Sequence, residues 1–444
     1  MKMPTQIDPT RISDLLGSWT ARLIDLVTSQ AQLSGLSVFI VGGVVRDLLL
    51  ARPNYDLDFA IEGDAITFAD SLATQFGGSV TRYPPFGTAK WLLDINALPL
   101  GADAPDVPIA HLDFAMTRTE YYTHPGALPR VQSAGITSDL ARRDFTINTL
   151  AFQVSPTYGA LLDPFGGADD VRAGIVRVLH DRSFIDDPTR IVRAVRFESR
   201  LGFQIETHTR TLMDAARVRI SQVTGERLRN ELSLMLGEPD PAGAFLSMQK
   251  RGFLNAIHPA WRVDEALDRQ LTAIGTITSR PGRMAGAAPI DPVDAMWVAI
   301  LSTLPLPDLR AVGERLLFSK AVIATAESLH HLRADLPLLR DRAAPDSVFT
   351  ARLDNVPELA LVCAWALFDD TMIQERISHF FTTWRTLRPI ANGDTLRAMG
   401  LRPGRCFSVI LDRLRAAWID GIIVSAADET QLIETLIAAG VCDE

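Results

Sequence analysis

Apolar and polar positions follow two periods along this chain. Ile12, Leu15, Leu16, Trp19, Leu23 and Ile24 recur at helical spacing and predict a surface helix over residues 11–33. Residues 38–41 (VFIV) are β-branched and aromatic and predict a buried strand. Gly42-Gly43 breaks that run, and residues 44–50 predict a helix. Pro53-Asn54 marks a turn, and further strands are expected at 56–61, 91–95 and 111–116. Residues 35–155 therefore read as a small mixed α/β domain. After about residue 170 the strand pattern fades. Residues 189–201, 207–217, 226–236 and most of the chain beyond them have helical periodicity. Residues 279–291 are rich in Gly, Pro and Ala and read as a loop, and 391–404 as a Gly-punctuated link between helices. The fold class expected is α+β, a small mixed-sheet head followed by an all-helical remainder.

Chemistry concentrates in a few places. Asp56 and Asp58 are two apart, so in a strand both side chains face one side. Carboxylates held side by side suit one or two Mg²⁺ ions. In isolation, two solvated acids on a sheet face would look the same. Gly42-Gly43 lies upstream between strand and helix, where backbone N–H groups can approach phosphate oxygens. Arg46 is placed to add a charged fork. Neither a P-loop nor a dinucleotide fingerprint is present. Asp113, flanked by apolar Leu112 and Phe114, is the expected third carboxylate of a two-metal site for phosphoryl or nucleotidyl transfer. Arg142, Arg143, Asp144 and Asn148 suit triphosphate and ribose contacts, although a surface turn with a salt bridge would share that pattern.

A second cluster lies further along. Asp187 precedes Pro188, which suits a capped helix start. Arg190, Arg193, Arg196 and Arg200 then line one helix face, with Ile191, Val192 and Val195 on another. Asp187 and Arg190 share a face. A carboxylate can accept from an exocyclic amine while a guanidinium donates to the adjacent ring nitrogen. Cytosine and adenine offer that edge, whereas guanine and uracil offer the reverse. The plainer reading of Asp187 is a cap alone, and of the arginines a solvated face.

Composition narrows the classes. Against 53 acidic residues the chain has 44 basic ones, a net charge of −9, so a surface basic throughout is excluded. Residues 172–229 nevertheless hold twelve Arg, no Lys and seven acids, a local excess of five positive charges that favours a polyanion-facing surface. Cys363, Cys406 and Cys442 have no metal-ligand spacing, and neither a disulfide framework nor a zinc site is expected. The N-terminus lacks a secretory pattern, and the longest apolar runs, near 295–306 and 359–368, fall short of the ~18 residues of a membrane span. These features lead to the expectation of a cytoplasmic protein without a membrane and without an obligate protein partner.

The ordered motifs resemble those of the bacterial tRNA nucleotidyltransferase/poly(A) polymerase family, in the class II branch that includes CCA-adding enzymes. The matching segments are VGGVVRDLLL (41–50), YDLDF (55–59), DLARRDFTINTLAF (139–152), LLDPFGG (161–167), FIDDPTRIVRAVRFESRLGF (184–203) and GERLRNEL (225–232). They cover about residues 35–235. The resemblance implies an N-terminal helix (1–34), a catalytic head (35–168), a nucleotide-selecting neck (169–236), a helical body (237–345) and a tRNA-binding tail (346–444). It implies catalysis with metal on Asp56 and Asp58, to which the strand pattern adds Asp113 as a third catalytic carboxylate. Its nucleotide-binding set is Gly42, Gly43, Arg46, Asp47, Arg142, Arg143, Asp144 and Asn148. In the neck, Asp187 and Arg190 template the base, and Arg193 and Arg196 contact the nucleotide. Residues 163–167 (DPFGG) are implied to act as a hinge-like connection. The implied cofactor is Mg²⁺, the substrates CTP and ATP, and the macromolecular partner tRNA.

The implied activity is template-independent addition of CCA to the tRNA 3′ end. Relatives that add only CC, only A, or poly(A) share the same motifs, and residues 118–130 are where a loop for switching from C to A is expected. A non-catalytic RNA-binding protein on this scaffold and a small-molecule nucleotidyltransferase are the readings from other classes. The sequence departs from the family pattern at Asp186, where Glu is common, at Ala51, where Gly is usual, and at Thr149-Leu150.

Overall fold

A computed structural model describes residues 9–101, 109–121, 130–279, 284 and 286–441. The chain divides into two compact units, Met1–Asp240 with Lys250–Ala256, and Pro241–Gln249 with Ile257–Glu444.

The first unit opens with α1 (Pro9–Leu33), kinked where Gly17 takes φ 81°. Its apolar stripe buries Ile12, Leu16, Trp19, Leu23 and Ile24. The head then runs β1 (Ser37–Val41), α2 (Gly43–Leu49), β2 (Asp58–Glu62), α3 (Ala65–Phe76), β3 (Ser79–Tyr83), β4 (Thr88–Leu92) and β5 (His111–Met116). A two-stranded ribbon comes next, β6 (Arg118–Tyr121) and β7 (Arg130–Ser133), then α4 (Ile136–Ala141), β8 (Ala151–Ser155), β9 (Leu161–Leu162) and α5 (Gly167–Ala173). The main sheet has the order β3-β4-β5-β2-β1-β8-β9. Only β2 and β5 pair in parallel there. Phe59 and Phe114 stack across that parallel pair, ring centroids 5.2 Å apart, and Phe68 of α3 meets Phe114 edge-on.

The rest of the first unit is helical apart from the short parallel pair β10 (Ile175–Val176) and β11 (Gln204–Ile205). Its helices are α6 (Ser183–Asp186), α7 (Thr189–Leu201), α8 (Thr207–Ala216) and α9 (Gly225–Leu236). α7 packs on α9 and stops at Gly202, whose φ of 70° makes a left-handed cap.

In the second unit every regular element among the described residues is helical, from Pro241–Lys250 to Ala426–Ala438. Phe245, Trp261 and Trp297 centre one of its cores, and Leu396, Ile410, Leu414 and Ile433 another. No described helix is long and apolar enough to cross a membrane.

The architecture is the expected α+β one, with local corrections. The strand expected from Asp56 begins at Asp58, because Asn54 Oδ1 accepts from the Asp56 N–H and prolongs the Pro53-Asn54 turn. The strand expected at 91–95 lies at Thr88–Leu92. The link at 391–404 contains a helix, Gly393–Ala398, closed by an Asn392/Thr395 capping box. Cys363 is free and buried, whereas Cys406 is disulfide-bonded, a bridge in a chain for which no disulfide framework is expected. Of the loop at 118–130, residues 122–129 lie outside the described residues, as do 280–283 and 285 of the loop at 279–291 and Cys442.

Ala51, a departure from the family pattern, follows α2 with φ 54°. A Cβ in the left-handed region costs about 1 kcal/mol. Ala51→Gly is therefore expected to stabilise the protein by about 1 kcal/mol, read as a higher urea midpoint with an unchanged slope.

Candidate active site and nucleotide cavity

The parallel pairing of β2 with β5 sets Asp58 beside Asp113. Two-residue alternation along β5 brings His111 to the face of Asp113, and Asp56, in the turn before β2, stands close to both. On the other side of β5, Lys90 of β4 is the register partner of Asp113. Its Nζ lies 2.9 Å from Asp113 Oδ2, and His111 Nε2 lies 3.3 Å from that same oxygen. One ligand atom each from Asp56, His111 and Asp113 falls within 4.8 Å of the others, a group able to hold a metal ion.

Asp58 feels this crowding. Burial of its sheet side, and then the neighbouring Asp56 carboxylate, push its carboxyl up to about 6, although Arg143 opposes the shift. A carboxylate raised by a like charge gains from a shared cation, so the donor set fits a divalent metal.

Asp56 and Asp58 open onto a cavity of about 460 Å³. Its wall also carries Gly42, Gly43, Arg46, Arg142, Arg143, Asp144, Asn148, Asp187, Arg190, Arg193 and Arg196. Asp113 and Asp47 are not on that wall. Seven arginines and five acids line it in all. Buried Nε atoms of Arg143, Arg193 and Arg196 have no hydrogen-bond partner among the described residues. With seven guanidinium groups against five carboxylates, the wall carries an excess of positive charge that suits a polyanion.

The backbone of the Gly turn is left-handed, which favours glycine. Gly42 has φ 77°, and a Cβ on it would stand 2.8 Å from Arg143 Nη1. Arg143 thereby comes close over the turn that leads into α2.

Arg46, on the wall, is also engaged within the protein. It is buried, and its Nε and Nη2 donate to the two carboxylate oxygens of Asp47 at 2.8 and 2.9 Å. Its Nη1 donates to Asn148 Oδ1 at 2.8 Å. The fork thus closes on Asp47, which also accepts from Asn54 at 2.7 Å. Asp47 is a buried anchor, and Arg46 positions Asn148.

From Asn148 the contacts run on. Asn148 Nδ2 donates to Asp144 Oδ1 at 2.9 Å, and Asp144 Oδ2 pairs with Arg193 Nη2 at 2.6 Å. Arg193 and Arg196 flank Glu231 at 3.8 and 4.0 Å. Glu238 lies 3.9 Å from Arg196 and 3.7 Å from Arg200, and Arg200 lies 3.8 Å from Asp47. The circuit joins α2 to α7 and α9. Burial alone would raise Asp144, but Arg193 and the Asn148 amide outweigh it and hold the carboxyl below its ordinary value. Burial dominates at Glu231, which is raised.

Arg142 is held by Asp139 and by Glu120, the latter at 2.6 Å, and Arg143 also reaches Asp139. At the head of α7, Asp187 Oδ1 accepts from Thr189 N at 3.1 Å and from Thr189 Oγ1 at 2.7 Å, which is a cap. It also accepts from Arg227 of α9 at 2.9 Å. Arg190 donates to Ser183 Oγ at 2.7 Å and to the Arg142 carbonyl at 2.8 Å. Both side chains are braced at the cavity wall.

Sequence reasoning passed over Asn54, Glu120 and Phe197 on the wall, and Arg227 and Glu231 behind it. The last two stand in the GERLRNEL segment four residues apart, a spacing that puts them on one helix face. That periodicity was a usable signal. Glu120 carried none.

Residues 38–177 match the model described as the poly A polymerase head domain. Residues 202–264 match the one described as the probable RNA and SrmB-binding site of polymerase A. A CC-adding tRNA nucleotidyltransferase of Geobacter sulfurreducens is 30% identical over 440 residues, covering 93% of this chain and 95% of that protein. An A-adding tRNA nucleotidyltransferase of the same organism is 34% identical over 411 residues, covering 89% of this chain. The chain spans less than half the length of the A-adding relatives it matches, 45% of that one and 48% of one from Halalkalibacterium halodurans. Among solved structures, an apo CCA-adding enzyme aligns with a TM-score of 0.78 at 27% identity over 98% of this chain and 100% of its own. A Thermotoga maritima CCA-adding enzyme complexed with tRNA aligns at 0.70 with 25% identity, again over 98% and 100%. With a relative of similar length aligned almost end to end and the head motifs gathered at one cavity, the chain belongs to the tRNA nucleotidyltransferase/poly(A) polymerase family.

Proposed function

We propose that the protein completes tRNA 3′ ends by template-independent addition of C and A, from CTP and ATP. The observation that carries this reading is the placement of Asp187 and Arg190 together on the wall of the cavity that Asp56 and Asp58 enter. Asp187 accepts from the exocyclic amine of cytosine or adenine, and Arg190 donates to the adjacent ring nitrogen. Guanine and uracil would face donor with donor and acceptor with acceptor, leaving buried groups unpaired. Arg143, Arg193 and Arg196 hold the triphosphate from the cavity wall. Asp144, with Asn148, faces the ribose. The incoming tRNA hydroxyl sits beside Asp56 and Asp58. Those two carboxylates, with Asp113 at their edge, would hold Mg²⁺, which supplies charge neutralisation on the phosphates and lowers the pKa of the attacking hydroxyl. The helical second unit provides the body (237–345) and tail (346–444) that carry tRNA.

A narrower reading, addition of A alone, is favoured by the A-adding relatives. One assay separates the two. Transcripts lacking CCA and transcripts ending in CC are each given CTP, ATP or both. Completion of CCA on the first transcript is the expected result. Action only on the CC-ended transcript assigns the A-adding step, and stopping at CC assigns the CC-adding step. Binding of tRNA is expected to weaken steeply with salt, since phosphate contacts release counterions. Salt-independent binding, or no addition to either transcript, would overturn the proposal.

A further inference from the structure

The metal face of the head carries a residue that paired carboxylates do not require. His111 sits one step from Asp113 on β5 and close to Asp56, so its ring lies on the face that holds the acids. Its Nε2 is 3.3 Å from Asp113 Oδ2. With Asp56 it completes a set of ligand atoms all within 4.8 Å of one another, two carboxylate oxygens and one imidazole nitrogen. The Asp56 carboxylate has no ion-pair partner among the described residues, whereas Asp113 already meets a cation, the Lys90 ammonium at 2.9 Å.

Mg²⁺ prefers an all-oxygen octahedron and sheds water reluctantly. An imidazole nitrogen adds little for it, but strengthens binding of first-row transition cations. We propose that His111 is a direct nitrogen ligand of the metal held at Asp56, with Asp113 beside it, and that it raises the affinity of this site for a divalent first-row transition cation relative to Mg²⁺. The proposal rests on the nucleotidyl-transfer reading of the same site, and makes His111 the residue that sets metal preference.

The test uses the full chain stripped of metal, with Mn²⁺ as the probe. Electron spin echo modulation of bound Mn²⁺ is expected to show ¹⁴N coupling in the wild type and to lose it in His111→Asn. Competition titrations are expected to show Mn²⁺ bound at least about tenfold more tightly than Mg²⁺. The variant is expected to bind Mn²⁺ roughly tenfold more weakly than wild type. Absence of ¹⁴N coupling in the wild type, a readout that does not depend on the variant folding, would overturn the proposal. So would displacement of Mn²⁺ by an equal concentration of Mg²⁺, and His111 would then be only a hydrogen-bond partner of Asp113. Wild-type addition to tRNA with Mg²⁺ alone, measured alongside, separates this failure from failure of the functional reading. Activity without ¹⁴N coupling removes the nitrogen ligand and leaves the transferase intact.

Discussion

Asp58→Asn is expected to cut nucleotide addition by about 10³-fold or more while raising the thermal stability of the metal-free protein near neutral pH. The two effects share a cause. Asp58 is crowded by its own sheet and by Asp56, so its folded carboxyl titrates at about 6 against an ordinary 3.8. Between those values the folded chain binds a proton more readily than the unfolded chain. The charged form is therefore penalised by folding, and stability falls as pH rises through the window. Replacement by the neutral amide removes that penalty above about pH 6 and gives no advantage below about pH 4, where the acid is protonated in both states. Because the side chain is exposed at the cavity mouth, solvent screens the shift and the gain is modest. Single-turnover incorporation and calorimetry at two pH values measure both halves. Retained activity with unchanged metal dependence would remove Asp58 from the metal site.

The second large effect concerns choice of base. Arg190→Ala is expected to reduce discrimination against G and U by about 10²-fold, while tRNA affinity changes by no more than about threefold, as suits loss of one charge. Arg190 uses two of its five N–H donors on Ser183 and the Arg142 carbonyl, which fixes the plane of the guanidinium and leaves donors for a base. Asp187 engages Thr189 and Arg227 through Oδ1, so Oδ2 remains able to accept an amine. Competition among all four nucleotides in single-addition reactions reads the outcome. Unchanged selectivity for C and A would reduce Asp187 to the helix cap that its bonds to Thr189 already make it.

Much of this site was readable from residue pattern, for physical reasons that differ by element. The α7 arginines recur with helical period beside an apolar stripe, so their shared face followed from spacing. His111–Met116 alternates apolar and polar residues and its limits were found as they stand. β3 was missed because it is an exposed edge strand with no buried face to enforce alternation. β8 lies inside a motif whose charged and polar residues drew attention from the apolar run beyond them. The role of Arg46 was beyond pattern altogether. Adjacent residues on a helix do not face each other, yet in a helix of seven residues the Arg46 fork turns back onto Asp47. Asn54 joins them from the Pro53-Asn54 turn, a contact that spacing alone does not give.

Helix α7 carries Arg190, the proposed base contact, near its start and Arg196, the proposed phosphate contact, nearly two turns on. Six residues at 1.5 Å each set these contacts about 9 Å apart along one axis. The helix is thus a ruler whose graduations are peptide units. Substitution can retune any single mark, but an inserted residue would turn every later arginine by about 100° and move it on by about 1.5 Å. The grip on the phosphates would then leave the cavity while the base reader stayed behind. Length between these positions is consequently under stricter constraint than identity at most of them.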